Sequence, residues 1–406
     1  LKNTYFCVKY KEMRKIVLFL FIIGIVSCKK EDVPTPINNQ IVENTSTPKN
    51  YLSTSYELQK SSVKIDIMEL RKNKTGIQSP WNILPVAFLD VNGDGNDDIF
   101  YVPTYGDTSR TNGQLFIYKN GDYIPDNGYF NTIPSLVNAR KVLVGDFNND
   151  KIPDMFITGH GYDLPPFPGE YTELLLSNPD KKYDLKKFTE KIGFYHGACS
   201  GDIDNDGDLD IFVVDKINSY FLINDGKGNF TYSTSQIDIT KLNGYGICEF
   251  IDINKDGFLD LIIGGGEIYN PTRIFWGSSS FKFDVNNITD IPPIDDFGSI
   301  TDIDVFDVNN DNVLEIAVTR TGFKNFYNGW YIQIVSINNK KTTDITNSII
   351  EKNSYLPSIP NNQEWIPWMR FEDYDNNGKI DFFSTRCTPA PFVRWELQNG
   401  KLIRVN

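Results

Sequence analysis

The sequence predicts an all-β fold: a β-propeller of four-stranded blades, with an acidic loop between the first two strands of each blade. Three observations predict it. An acidic loop of one design occurs six times, starting at residues 90, 146, 202, 252, 307 and 373. The intervals of 56, 56, 50, 55 and 66 residues are close to the size of one propeller blade. Aromatic residues make up 14% of the chain, and with abundant Asn and Gly they favour strands and turns over helices.

The first repeat serves to justify the elements. Pro85 to Leu89 reads as an inner strand A that runs into the loop, Ile99 to Val102 as strand B, and Gln114 to Tyr118 as strand C. An Asn120-Gly121 pair, a strong hairpin signal, leads to strand D. Comparable turns follow each later loop: Asn178-Pro179-Asp180, Asn224-Asp225-Gly226, Trp276-Gly277, Asn338-Asn339 and Asn399-Gly400. Inner strands align by column. Phe88, Val144, Ser200, Phe250, Val305 and Phe371 stand two residues before their loops, and Val86, Val142, Ala198, Cys248, Ile303 and Met369 stand four before. This alternation fits a strand packed against the next blade. Three before the loop the column turns charged at Glu249, Asp304 and Arg370, a set expected to face the central axis. Six blades carry the motif. Residues 51–80 carry none, and either cap the ring or supply a degenerate seventh blade; Ser62 to Leu70 suits a strand or a helix.

In Gly201 to Val213 the loop is clearest. Asp202, Asp204, Asp206 and Asp210 hold positions 1, 3, 5 and 9, with Gly207 at position 6. Carboxylates crowded in this way repel one another unless a hard cation neutralises them, and calcium takes six to eight oxygens. Glycine at position 6 allows the sharp turn around an ion, and residue 208 would add its carbonyl. The other sets are Asp90, Asn92, Asp94 and Asp98; Asp146, Asn148, Asp150 and Asp154; Asp252, Asn254, Asp256 and Asp260; Asp307, Asn309, Asp311 and Glu315; and Asp373, Asp375, Asn377 and Asp381. Up to six structural calcium ions are therefore expected. An EF-hand is excluded, because position 12 is Tyr101, Ile157, Val213, Ile263, Val318 or Ser384 rather than a bidentate Glu. Lys151 and Asn312 at position 6, and Asn377 at position 5, predict looser binding in loops two, five and six.

The motif Asp-x-(Asp/Asn)-x-Asp-Gly-x-x-Asp between strands resembles the integrin-α-like FG-GAP/VCBS-repeat β-propellers over residues 81–406. The resemblance implies calcium ligation at positions 1, 3, 5 and 9. The Phe-Gly and Gly-Ala-Pro signatures are essentially missing, with only Phe297-Gly298 hinting at one.

A formal charge of −13 argues against nucleic acid or an anionic membrane surface as partners. Nineteen acidic side chains sit in the six loops, and six calcium ions would bring the charge near −1. Residues 1–28 read as an upstream extension and a signal segment. Arg14 and Lys15 precede an apolar run from Ile16 to Val26 that is too short to span a bilayer. Ile25-Val26-Ser27-Cys28 resembles a bacterial lipobox, which would make Cys28 the lipidated residue; an ordinary cleaved signal is the alternative. Lys29, Lys30, Glu31 and Asp32 resemble an export tag for outer-membrane surface lipoproteins, with the periplasmic face as the other location. Residues 29–50 read as a tether that would hold the body about 25 Å from the lipid. The five cysteines form no disulfide framework, and Cys199 and Cys248 are expected as buried thiols.

Strand directions place the B–C loops and D–A connections on the rim away from the acidic loops. There lie Tyr105, His160, Tyr162, Phe167, Tyr269, Phe323, Phe326 and Tyr327, with Trp81, Arg140, Tyr195, His196, Tyr245, Trp365 and Trp368 at the strand entries. Aromatics with polar tips on a rigid scaffold suit a glycan or a protein ligand, and a monomeric binding or adhesion module is the expected function. A polysaccharide lyase-like enzyme on the same scaffold is the alternative. The sequence has no Gly-x-Ser-x-Gly, His-Glu-x-x-His or phosphate loop to nominate a catalytic residue.

Overall fold

A computed structural model describes residues 85–104, 108–216, 218–242, 244–309, 311, 313–322, 327–357, 364–372, 381–384 and 393–405. The signal segment with Cys28, the tether, residues 51–80, Trp81, Tyr105, Phe323, Phe326 and the loop-six positions Asp373, Asp375 and Asn377 lie outside them.

Six antiparallel blades follow one another along the chain, each with four strands in the order A-B-C-D; Ser354–Tyr355 adds a short fifth strand to blade five, and Arg110–Asn112 pairs separately with Ser135–Val137. In blade one strands A to D are Val86–Leu89, Asp98–Tyr101, Gln114–Lys119 and Asp122–Pro125. The later A strands are Ala139–Gly145, Tyr195–Gly201, Tyr245–Ile251, Ser299–Phe306 and Met369–Glu372. Asn120 and Gly121 both take positive φ, 54° and 85°, and so do Asn399 and Gly400 at 52° and 74°. That geometry matches the twist of the flanking strands, which is why Asn-Gly closes the C–D hairpins of blades one and six. Blade six ends on its own strand D, Lys401–Arg404.

The B strands are the most deeply placed. Ile211, Phe212, Val213 and Val214 are all fully buried, since both faces of a blade pack against neighbours. Apolar side chains divide into six clusters, one per seam between adjacent blades. Val142 and Ile157 of blade two meet Ala87 and Phe100 of blade one; Phe212 of blade three meets Phe250 of blade four; Phe306 of blade five meets Phe382 and Trp395 of blade six. Trp368, at the start of blade six, packs against Phe88, Ile99, Tyr101 and Phe116 of blade one. That contact closes the ring at six blades and overturns the seven-bladed alternative.

At the axis, Glu249, Asp302 and Asp304 are buried close to Lys141 of blade two. Burial alone would depress the Lys141 pKa, but the three carboxylates outweigh it and raise the pKa. The charged inner column is thus partly balanced from within the ring. Cys199 and Cys248 are free and buried together in the seam between blades three and four.

One regular feature was not legible in the sequence. In blades two to five the A–B pairing slips by one residue, leaving Arg140, His196, Gly246 and Thr301 extra. Each stands six positions before the first carboxylate of its loop. A bulge of this kind re-aims a side chain at the end of the inner strand. The four residues share no chemistry, so no sequence column marks them.

Candidate metal centres and the opposite rim

The acidic loops fold alike. In loop three Asp202 Oδ1 accepts the Asp206 N–H at 3.0 Å and Oδ2 accepts that of Gly207 at 2.9 Å. Asp90, Asp146 and Asp252 accept from positions 5 and 6 of their own loops in the same way. Asp307 accepts the Asp311 N–H at 2.9 Å. The position-5 carboxylates of Asp94, Asp150, Asp206, Asp256 and Asp311 each accept the amide of position 7.

Position 6 carries positive φ where the spacing required it: 84° at Gly95, 72° at Lys151, 100° at Gly207 and 91° at Gly257. Position 4 is left-handed as well, at Gly93, Asn149, Asn205 and Lys255. Gly and Asn at three of those four places were the available signal for that second turn.

The ligand atoms of Asp202, Asp204 and Asp206 lie within 4.8 Å of one another, close enough to share one ion. Asp204 Oδ1 is buried with no hydrogen-bond partner, and so is Oδ1 of Asp208. Buried oxygens without donors suit a hard cation, so the residues present fit calcium. Position 9 is placed differently from the other three. Asp210 gives one oxygen to the Ile203 N–H at 3.2 Å and the other to the Asn224 N–H of the strand C end at 2.8 Å. Asp98, Asp154 and Asp260 make the same two bonds. Glu315 accepts from Val308 and from the Asn309 side chain. Burial pushes these carboxyls up, to about 6 at Asp98, about 7 at Asp154, Asp260 and Glu315, and about 8 at Asp210. A charge buried at that cost calls for a cation close by. In loop six only Asp381 is described; it is buried and lies 3.4 Å from Arg394.

The opposite rim divides the aromatic candidates. Tyr195 and Tyr245 are 2% and 1% exposed and belong to inter-blade cores, with the Tyr245 hydroxyl donating to the Pro271 carbonyl. Trp368 closes the ring, and Trp365 is 8% exposed against Tyr327 with ring centroids 4.5 Å apart. Reading Tyr195 and Tyr245 as part of a ligand face is corrected: these strand entries are roofed by the neighbouring blade. Phe167 at 53% and Tyr269 at 67% exposure are the open rings. Leu164, Ile192 and Ile268 are exposed as well.

At the inner end of this rim stand the only two histidines of the chain. His160 stacks on Phe194 at 4.5 Å and on His196 at 5.0 Å, and Phe167 meets Phe194 edge-on at 5.9 Å. His160 Nδ1 lies 2.7 Å from the Gly161 carbonyl and His196 Nδ1 3.3 Å from that of Phe194, so Nδ1 carries the proton in the neutral rings. Lys216 Nζ sits 4.8 Å over the Phe194 ring. Burial, then the positive charges of Arg140 and Lys216, hold both histidines well below the ordinary imidazole range. Sequence reading picked out Arg140, His160, His196 and Phe167, but not Phe194 or Lys216, which become neighbours only when blades two and three stack.

An FG-GAP-like repeat model matches residues 74–157 and 202–263. Cartilage acidic protein 1 of Mus musculus is 22% identical over 265 residues, covering 60% of this chain and 40% of the relative. Its Xenopus tropicalis counterpart is 25% identical over 224 residues, covering 48% and 32%. The matches thus span less than half the length of these relatives. Among solved structures, an Agrocybe aegerita lectin that recognises non-reducing terminal N-acetylglucosamine aligns with a TM-score of 0.41 and 13% identity, over 79% of this chain and 72% of the lectin. A rhamnogalacturonan lyase of Bacillus licheniformis aligns at 0.27 and 10%, over 80% and 60%.

Proposed function

We propose that this six-bladed β-propeller with FG-GAP-like repeats is a calcium-stabilised binding module, which holds a glycan or protein ligand on the rim away from its acidic loops. The observation that supports this most is the division of labour between the rims. One carries four fully described copies, and part of a fifth, of a loop closed on its own carboxylates. The other carries exposed Phe167 and Tyr269 with Arg140, His160 and His196. Metal on the first rim ties strand A to strand B and stabilises the scaffold, and the rigid scaffold presents the second.

In this reading Asp202, Asp204 and Asp206 hold calcium in loop three, and the equivalent residues do so in the other loops. Cys28 anchors the chain by lipid to the outer membrane, with the body at the cell surface. Neither assignment needs a catalytic residue.

The test is a glycan and protein binding screen with and without EDTA. Saturable retention is expected, lost on combined Phe167→Ala and Tyr269→Ala replacement with the melting temperature unchanged. Calcium removal should lower the melting temperature: a single site at a hundred times its Kd contributes about 2.7 kcal/mol. Chelated protein that melts at the same temperature and takes up no calcium would overturn the metal assignment. Turnover of any glycan in the panel would favour the lyase-like alternative.

A further inference from the structure

Arg140 differs from most of the arginines described in this acidic protein. Arg110 pairs with Glu170, Arg273 with Asp290, Arg320 with Glu267, and Arg394 with Asp381 and Glu396. Arg140 forms no salt bridge among the described residues, and its Nε is buried with no hydrogen-bond partner. Lys216 forms none either, although Asp163 and Asp215 lie near enough to act on it. A half-buried guanidinium left unpaired is costly unless something supplies the acceptor. The bulge that re-aims residue 140 occurs also at His196 in the next blade, so both side chains issue from the inner ends of neighbouring strands.

We propose that Arg140 and Lys216, beside His160, His196 and the exposed ring of Phe167, form a subsite for the carboxylate of an acidic sugar. This rests on the binding-module reading above and names the ligand class for that rim. A guanidinium takes a carboxylate through two parallel N–H bonds, and a pyranose bearing that carboxylate offers a flat face to an adjacent aromatic ring. A peptide carboxylate would fill the charge but leave Phe167 without that partner. The net charge of −13 does not forbid an anion here. The acidic loop is remote: Asp146 stands six positions along the strand from Arg140, roughly 20 Å, against a Debye length of about 8 Å at physiological salt, and only Asp163 and Asp215 offset Lys216 locally. Filling the subsite also changes the histidines. Their free Nε2 atoms accept rather than donate, and a bound anion favours protonating them.

Trigalacturonic acid and neutral trigalactose serve as probes, followed by calorimetry on the calcium-loaded protein. The acid should bind saturably and the neutral sugar should not. Arg140→Gln and Lys216→Gln should each weaken binding about tenfold to hundredfold, as expected for loss of a charge-assisted contact. Because both histidines of the chain sit here, their Cε1–H resonances read the site directly, and the acid should shift their titration to higher pH. Binding of the acid that survives both substitutions, for example through calcium on the other rim, overturns the subsite. So does equal binding of the neutral sugar, or Arg140-dependent binding of a Glu-rich peptide alone. If another glycan or protein binds while trigalacturonate does not, the subsite falls and the binding-module reading stands. If nothing in the screen binds, both fall.

Discussion

Lys151 carries a φ of 72° where Gly95, Gly207 and Gly257 stand in the matching loops. A left-handed residue with a side chain costs roughly 1–2 kcal/mol, and glycine gives back about 0.5–1 through its unfolded-state entropy. Lys151→Gly should therefore stabilise the protein by about 0.5–1 kcal/mol, read by urea denaturation with calcium present. Gly207→Ala should do the reverse by about 1 kcal/mol. A Cβ at Gly207 meets nothing within 4 Å, so the change isolates backbone strain from crowding. At this scale the sequence was informative about loops, because the turn and the charge cluster both come from residues a few places apart. It misled at Tyr195 and Tyr245, whose burial is set by a neighbouring blade some 50 residues away in the chain. No local pattern separates a tyrosine that caps a seam from one that faces a ligand.

The blade as an element depends on the position-nine carboxylate as much as on hairpin turns. Asp260 receives the Ile253 N–H of its own loop and the Gly277 N–H at the end of strand C, so one side chain ties three strands together. Asp260→Ala would leave both buried amides without acceptors. At about 1–3 kcal/mol for each unsatisfied group, a loss of about 2–6 kcal/mol is expected, with the denaturant slope unchanged. A loss below about 1 kcal/mol would mean that water replaces the carboxylate. Strand limits were legible to within a residue or so, since apolar alternation and Asn-Gly turns are local. The bulges at Arg140 and His196 were not, because a slip in pairing is decided by the partner strand, and the residues at the slip share no chemistry from blade to blade.

At the scale of the whole molecule, the ring is held by six seams, the last of which joins blade six to blade one. Among the described residues, Trp368 supplies the blade-six side of that seam. Trp368 is partly buried, so Trp368→Ala should cost about 1–3 kcal/mol, below the range for truncating a fully buried ring, and should shift the denaturation midpoint more than a matched change on the outer strands. The count of six followed from the sequence repeat, whereas closure is a property of the assembled ring that no single repeat encodes. The same assembly places His160 and His196 beside Arg140 and Lys216, and this sets how the ligand-free protein responds to acid. Both imidazoles are held well below their ordinary value of 6.5 by burial and by those cations. Above pH 6.5 folded and unfolded chains carry the rings neutral, and stability is unaffected by them. Below it the unfolded chain takes up protons that the folded one refuses, so stability falls with pH, by up to about 1.4 kcal/mol per unit for each histidine. Carboxylates titrate in the same window, so the comparison must be a difference. With calcium saturating, the His160→Gln/His196→Gln double variant should lose stability between pH 6.5 and 5.5 less steeply than the parent. Parallel curves would mean that the two rings protonate freely in the folded ring, and that the cations beside them lie too far off to matter.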